Sequence, residues 1–246
     1  MNKPLQFVLI VWRIWRAHTP ITFCRIGWYY LKAKFTGEWE TWLWDCVPLS
    51  GRVAIDVGAN IGQWTNKLAS RFHEVIAIEP HPASVKLLRA KASFNVRVVE
   101  GAAWNCSEWK MLILYPDLRI CRITDHDLLY SMGKGANGLE VPCFPIDALR
   151  QTQVDLIKLD VEGAEVEALE GAIRTIKASS PILLIELHSA RARQQVESLL
   201  SSLGYTWEYK HYPFYRQGDK REAELDTIRL WMLAKKGDTN ALSSLG

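Results

Sequence analysis

Acid and glycine residues follow an apolar segment in the first half of the chain, in VAIDVGANIGQW. This stretch ends in a turn that contains Asp56, Gly58, Asn60 and Gly62. A strand that stops in a turn with so few side chains lets a ligand lie directly against the backbone. The next apolar segment, VIAI, ends in Glu79, and an acid at the end of the second strand of a βαβ unit can accept hydrogen bonds from ribose hydroxyls. These residues predict a site for an adenosine-containing cofactor.

The spacing in this turn differs from two common nucleotide-binding motifs. A dinucleotide fingerprint reads G-x-G-x-x-G, whereas here Gly58 is followed by Ala59 and Asn60 before the next glycine. A phosphate-binding loop would end in Gly-Lys-Ser or Gly-Lys-Thr, and this turn has no such ending. The pattern therefore disfavours a nicotinamide-dependent oxidoreductase.

Four polar residues near the ends of two later apolar strands could do the chemistry: Lys158, Asp160, Glu186 and His188. Each pair is two residues apart, so its side chains share a face of the strand. A lysine in an apolar strand needs a partner, and Asp160 or Glu162 is the expected one. His188 is the predicted general base because its ordinary pKa lies near neutrality. Asp160 would orient it or approach the cofactor, and Glu186 would also orient it.

Two other interpretations of these polar pairs stay open. They could form an ion-pair network that only satisfies buried charges, since such networks also perturb pKa values. Asp160, Glu186 and His188 could instead hold a divalent metal, but no metal-ligand spacing favours this. The prediction is therefore a catalytic cluster that contains no metal.

Strands and helices alternate from residue 51 onwards, which predicts a mostly parallel sheet with helices on both faces. Two late strands with no helix between them should pair antiparallel at the sheet edge. KMLILY is expected to pair antiparallel with VPCF. The residues between them, 116–140, are predicted to form a long loop over the site.

The turn D-V-G-A-N-I-G resembles the FkbM family of methyltransferases, as do the dipeptide Glu79-Pro80, the run K-L-D-V-E-G-A-E and the ending E-L-H. The resemblance covers about residues 51–235. It implies a class I methyltransferase fold, which is Rossmann-like and has a seven-stranded sheet with an antiparallel last pair. S-adenosylmethionine (SAM) is the implied cofactor. The cofactor residues would be the turn and Glu79, with Asp160 at the methionine end and Gly101 and Ala102 after the third strand.

The resemblance also implies O-methylation of a hydroxyl on a sugar, a glycan or a secondary metabolite. The small-molecule or glycan acceptor would be the partner, and a net charge of +3 gives no reason to expect nucleic acid. An alternative is a catalytically silent, membrane-associated binding protein that keeps the methyltransferase fold.

The chain divides into an N-terminal extension (1–48), a methyltransferase domain (49–236) and a mobile tail (237–246). The extension is predicted to be helical. Its first 44 residues hold six of the chain's eleven tryptophans and six basic residues against two acids. This composition suits a cap on the core or a helix at a membrane interface, so residues 1–35 are candidates for peripheral membrane contact. Five cysteines without a C-x-x-C spacing favour a reducing, cytoplasmic location.

Overall fold

The structure is a computed structural model that describes residues 41–114, 121–124, 137–210 and 230–237. Most of the predicted N-terminal extension, including residues 1–35, lies outside the described residues. The same is true of the tail after residue 237. The described part of the extension contains a 3-10 helix, Thr41–Cys46. No helix in these described ranges is long and apolar enough to cross a membrane.

A seven-stranded sheet forms the centre of the molecule. Its strands in chain order are β1 (Gly51–Val57), β2 (Phe72–Glu79), β3 (Val96–Glu100), β8 (Leu156–Leu159), β9 (Ile182–Leu187), β10 (Tyr205–Lys210) and β11 (Leu230–Lys236). Their order across the sheet is β10-β11-β9-β8-β1-β2-β3. The strands from β9 to β3 pair in parallel, while β11 pairs antiparallel with both β9 and β10. The predicted fold, a mostly parallel sheet with an antiparallel last pair, is confirmed.

Both faces of the inner strands of this sheet, such as β1, β8 and β9, are buried, as their nearly continuous apolar sequences predict. In the described part of the chain, the strands are connected by the helices α1 (Gln63–Leu68), α2 (Pro82–Lys91), α3 (Glu165–Glu170), α4 (Ile173–Ser179) and α5 (Ala190–Ser202). Side chains alternate between faces, so Ile55 packs with the cluster that includes Leu169 of α3 and Val196 of α5. Ala54 faces the other way, into the cluster of Trp64 and Trp231.

A second, four-stranded sheet is inserted between β3 and β8. It contains β4 (Ala102–Ala103), β5 (Glu108–Leu114), β6 (Cys121–Thr124) and β7 (Asn137–Phe144), in the order β4-β7-β5-β6. The predicted antiparallel pairing of β5 with β7 is confirmed. We name this element the inserted sheet.

The prediction of a long loop over residues 116–140 is wrong in part. Residues Cys121–Thr124 form β6, which pairs antiparallel with the end of β5, and β7 already begins at Asn137. The alternation in Cys-Arg-Ile-Thr supports an edge strand, but four residues are too short to stand out in a sequence rich in Gly, Asp and Arg. The other residues of this range lie outside the described ones.

Candidate functional site

The predicted site residues meet at the carboxyl edge of the central sheet. Asp56 at the end of β1 lies directly beside Lys158 of the neighbouring strand β8. Asp160 follows β8, and Glu186 and His188 lie at the end of β9, the next strand along. Parallel strands bring their carboxyl ends to one edge, where ligands bind in open α/β sheets. The prediction that the two later polar pairs lie side by side is thus confirmed.

The turn after β1 has an unusual backbone. Gly58 and Gly62 have φ angles of 72° and 87°, and Asn60 has a φ of 50° although it carries a side chain. Asparagine tolerates this left-handed conformation better than most residues do. The turn brings the backbone N–H of Asn60 to 2.8 Å from a carboxylate oxygen of Glu79. Two of the predicted cofactor residues are therefore directly hydrogen-bonded to each other.

Glu79 is held in place by backbone donors. One oxygen accepts from the N–H of Asn60, and the other accepts from the N–H of His81 at 2.8 Å. Burial raises the pKa of Glu79 to about 7, against the opposing effect of these hydrogen bonds. A carboxylate that is fixed by two amides keeps free lone pairs for further donors, such as a ribose diol.

The two glycines of the turn are required for packing, whatever contact their backbone makes with a cofactor. A Cβ at Gly58 would lie 1.8 Å from the carbonyl oxygen of Asp160, and one at Gly62 would lie 2.6 Å from Cδ1 of Leu88. At Gly58 it is the backbone after β8 that excludes a side chain, so a valine there would disrupt the fold.

Asp56 lies deeper than expected for a residue in contact with the cofactor. It is 0% exposed. One carboxylate oxygen accepts from the hydroxyl of Thr65 at 2.6 Å, and the other lies 3.3 Å from Nζ of Lys158. Its side chain therefore holds the turn and Lys158 in position, and its direct contact with the cofactor stays a prediction.

Gly101 and Ala102 lie beside the Glu79 end of the site. The N–H of Gly101 donates to the carbonyl of Glu79 at 3.0 Å, and Ala102 begins β4, which pairs with β7. A Cβ at Gly101 would lie 2.7 Å from the carbonyl oxygen of Pro142. This glycine thus allows the inserted sheet to pack against the end of β3.

Lys158 connects the turn to the later strands. Its Nζ lies 3.3 Å from Asp56 and 3.5 Å from Asp160, and it donates to the carbonyl oxygen of Gly58 at 3.2 Å. Asp160 is therefore a partner, as predicted, and Asp56 is a second one that the sequence did not indicate. The lysine is only 2% exposed, so these contacts compensate a fully buried charge.

His188 is surrounded by acids. Its Nδ1 lies 2.6 Å from Glu165, while its Nε2 lies 3.8 Å from Asp160 and 3.6 Å from Glu162. Burial alone would lower the pKa of His188, but the hydrogen bond to Glu165 and the charges of Asp160, Glu186 and Glu162 raise it to about 9. The expectation of a near-neutral pKa is wrong. At neutral pH this imidazole is protonated and cannot act alone as a base.

Asp160 and Glu186 complete the group that we name the acidic cluster: Asp160, Glu162, Glu165, Glu186 and His188. Burial would raise the pKa of Asp160, but Lys158, His188 and a hydrogen bond with Glu186 lower it below its ordinary value. Arg122 of β6 lies at the rim, since a Cβ at Gly163 would be 3.2 Å from its Nη2. The inserted sheet therefore borders the acidic cluster.

Sequence reasoning missed two residues of the site. Thr65 lies on α1 and Glu165 begins α3, and both are completely buried. Neither follows a strand, so the search for polar residues at strand ends did not find them. One signal was available for Glu165, which is the last residue of the run K-L-D-V-E-G-A-E that carries the family resemblance.

Comparisons with known proteins agree on the fold. A family model described as the methyltransferase FkbM domain matches residues 56–236. The crystal structure of methyltransferase FkbM from Methylobacillus flagellatus KT superposes with a TM-score of 0.51 at 21% identity. It covers 75% of this chain, and this chain spans only 43% of it.

A TehB-like SAM-dependent methyltransferase from Corynebacterium glutamicum gives a TM-score of 0.50 at 13% identity, over 89% of this chain and 100% of that one. At these identities the two likenesses show the fold alone. No curated protein sequence matches the chain.

Proposed function

Because this chain belongs to the FkbM methyltransferase family, whose expected cofactor is S-adenosylmethionine, we propose that it transfers the methyl group of SAM to a hydroxyl oxygen. One observation carries the proposal. The glycine turn and the acidic cluster share Lys158, which contacts the carbonyl of Gly58 on one side and Asp160 on the other. A methyl donor on the turn would therefore lie next to groups that can bind and deprotonate an acceptor.

The cofactor is proposed to lie across the ends of β1 and β2. Glu79 accepts hydrogen bonds from the two ribose hydroxyls, since its carboxylate is already oriented by backbone N–H groups. Gly101 and Ala102, at the end of β3, border the adenine. Asn60 presents backbone in the turn, and Asp160 lies toward the methionine end. SAM has no phosphate, so this site needs close approach to backbone and no anion-binding loop.

Methyl transfer is an in-line displacement in which the acceptor oxygen bonds to the methyl carbon as the carbon–sulfur bond breaks. The products are a methyl ether, neutral S-adenosylhomocysteine and one proton. Much of the catalysis is the alignment of the two reactants. We assign the alignment of the hydroxyl and the removal of its proton to Asp160, Glu186 and His188 as a group, because His188 by itself is protonated at neutral pH.

The acceptor class proposed here is a sugar, a glycan or a secondary metabolite that carries a free hydroxyl. The family resemblance supports this class. The acidic side chains and Arg122 at the rim also suit the recognition of hydroxyl groups. Carboxylates accept hydrogen bonds from a hydroxyl group, and a guanidinium group donates hydrogen bonds to it.

Calorimetric titration and methyl transfer test the proposal. SAM and S-adenosylhomocysteine should bind with one site per chain, while NAD should not bind. Labelled SAM should then methylate at least one member of a panel of sugars, glycans and polyhydroxylated metabolites, and the product should resist the mild alkali that cleaves methyl esters. Binding without turnover on any acceptor would favour the alternative, a silent binding protein with this fold.

Peripheral membrane contact through residues 1–35 is a separate proposal and depends on the sequence alone. Each basic residue near an anionic bilayer contributes roughly 1 kcal/mol, and salt weakens the effect. The full chain should float with anionic liposomes at low salt. A variant with Arg13, Arg16 and Arg25 changed to Gln should float less. Equal flotation of both proteins, or none by either, would reject membrane contact and favour a cap on the core.

A further inference from the structure

Three side chains of the acidic cluster converge on one point. One ligand atom each of Asp160, Glu186 and His188 lies within 4.8 Å of the others. Bonds from a transition metal to imidazole nitrogen and carboxylate oxygen are about 2.0–2.2 Å long, so adjacent ligand atoms of a metal lie roughly 3 Å apart. The three atoms therefore need inward movements of only about 1 Å to surround a cation.

The orientation of His188 is the second, independent observation. Its side chain is 9% exposed, and its Nε2 is buried with no hydrogen-bond partner among the described residues, while its Nδ1 is bonded to Glu165 at 2.6 Å. The carboxylate of Glu165 thus accepts the Nδ1 proton and aims Nε2 at Asp160. Metal-binding histidines have this arrangement, in which a carboxylate on the far nitrogen fixes the tautomer and the ring orientation.

The charge around this point is also unbalanced. Among the described residues, four carboxyl groups lie around this point: Asp160, Glu162, Glu165 and Glu186. The described cationic groups near them are His188, Lys158, which also pairs with Asp56, and, at the rim, Arg122. A divalent cation among the acids would remove this excess of negative charge. Buried charges are otherwise costly unless they are paired.

We propose that Asp160, Glu186 and His188 bind a divalent transition-metal ion of the Mn²⁺ type, and that Glu165 is a positioning residue for the imidazole. Two carboxylates favour hard cations, whereas an imidazole ligand favours transition metals over Mg²⁺ and Ca²⁺. Mn²⁺ accepts both kinds of ligand. Asp160 is 30% exposed, so the site can be reached by a metal and by an acceptor. This inference reverses the expectation of a metal-free site.

The use of the metal, though not its binding, rests on the proposed function. A cation in this position would polarise the acceptor hydroxyl and lower its pKa, so that the hydroxyl would release its proton to solvent and its oxygen would attack the methyl carbon as the carbon–sulfur bond breaks. The acid-rich surroundings of His188 then serve to bind the metal that activates the acceptor. A base of near-neutral pKa is no longer required.

Direct measurement of Mn²⁺ binding tests the inference without any acceptor or SAM. The full chain, first treated with a chelator and then freed of it, should remove the electron paramagnetic resonance signal of free Mn²⁺ with one site per chain. His188→Ala and Asp160→Asn should each weaken Mn²⁺ binding by more than 100-fold. Glu165→Gln should weaken it by about 10- to 100-fold, the usual effect of changing the partner of a metal-binding histidine.

Two matched variants control for general effects. His73→Ala removes an exposed histidine, and Glu170→Gln neutralises an exposed acid of α3, so both should bind Mn²⁺ like the parent. If His188→Ala fails to fold, as judged by circular dichroism, His188→Gln replaces it. Absence of a Mn²⁺ site in the parent, or a site unchanged by the variants at His188 and Asp160, would overturn the inference. SAM binding and methyl transfer by the metal-free parent would then leave the proposed function intact.

Discussion

Two acids at the same edge of the sheet have their charges compensated in different ways. Within the described residues, Glu79 accepts hydrogen bonds from the backbone N–H groups of Asn60 and His81, and burial raises its pKa to about 7. Asp160 also experiences burial, but Lys158 and His188 outweigh it and lower its pKa. Backbone amides fix a carboxylate without neutralising it, whereas side-chain cations hold it ionised. The Glu79 end is thus suited to bind neutral hydrogen-bond donors such as a diol, and the Asp160 end is suited to hold charged groups.

The largest expected effect separates catalysis from cofactor binding. His188→Ala should lower kcat by roughly 10²–10⁴-fold, because it removes one member of the group that is proposed to align and deprotonate the acceptor hydroxyl. The affinity for SAM should not change, because His188 is not itself among the proposed cofactor residues. Initial rates with labelled SAM and calorimetry measure the two quantities. His73→Ala is the control, and a parallel loss of SAM affinity in His188→Ala would contradict the division into two ends.

Removal of the cation at the Asp160 end should be the most harmful change to stability. Lys158→Met leaves the buried Asp56 without its cation, and the loss of one member of a buried ion pair costs about 3–5 kcal/mol. Urea unfolding at neutral pH measures the free energy of unfolding. Lys177→Met, at an exposed position of α4, should change it by no more than about 0.5 kcal/mol. Equal effects of the two variants would show that the ion pair does not stabilise the fold.

At the other end, Glu79→Gln should weaken SAM binding. Loss of hydrogen bonds to a charged acceptor costs about 1.5–3 kcal/mol, which corresponds to an increase in Kd of about 10- to 150-fold. Glu100→Gln is a matched control, since Glu100 lies directly beside Glu79 on β3 but is exposed and paired with Arg89. Unchanged affinity in Glu79→Gln would place the ribose elsewhere.

The smallest expected effect is a dependence of the affinity for SAM on pH. A diol donates to ionised Glu79, so SAM affinity should rise with pH from 5.5 to about 7, by at most tenfold per unit, and Glu79→Gln should abolish the rise. Lys158 and Asp56 also act on Glu79 by charge, and burial lowers the pKa of the adjacent His81 below its ordinary value. Affinity that is independent of pH in the parent would contradict the raised pKa of Glu79.

The raised pKa of Glu79 makes the stability of the fold depend on pH in the opposite direction, since stability should fall as pH rises. The pKa of Glu79 is higher in the folded chain than its ordinary value of 4.5, so the folded state holds this proton more tightly. The resulting stabilisation is complete below about pH 4.5 and is lost as pH rises to about 7. Unfolding of the parent and of Glu79→Gln over this range measures it.

The sequence predicted the strands and their polar ends because hydrophobic runs and strand parity are local signals. Lys158 and Asp160 were expected to share a face, and they do so. The pairing of Asp56 with Lys158 was not predicted, because it depends on the register between two strands about 100 residues apart. The role of Glu165 required knowledge of where α3 lies relative to β9. The pKa of His188 in turn depends on that contact.

The close approach of Gly58 to the carbonyl of Asp160 has a consequence for engineering. This contact between two backbone segments fixes the spacing between the glycine turn and the acidic cluster, so substitution of side chains elsewhere does not adjust it. Libraries aimed at new acceptors should therefore keep Gly58 constant and diversify the inserted sheet, beginning with Arg122 at the rim. Variation there would change which acceptors reach the proposed site, while the distance between the glycine turn and the acidic cluster would stay the same.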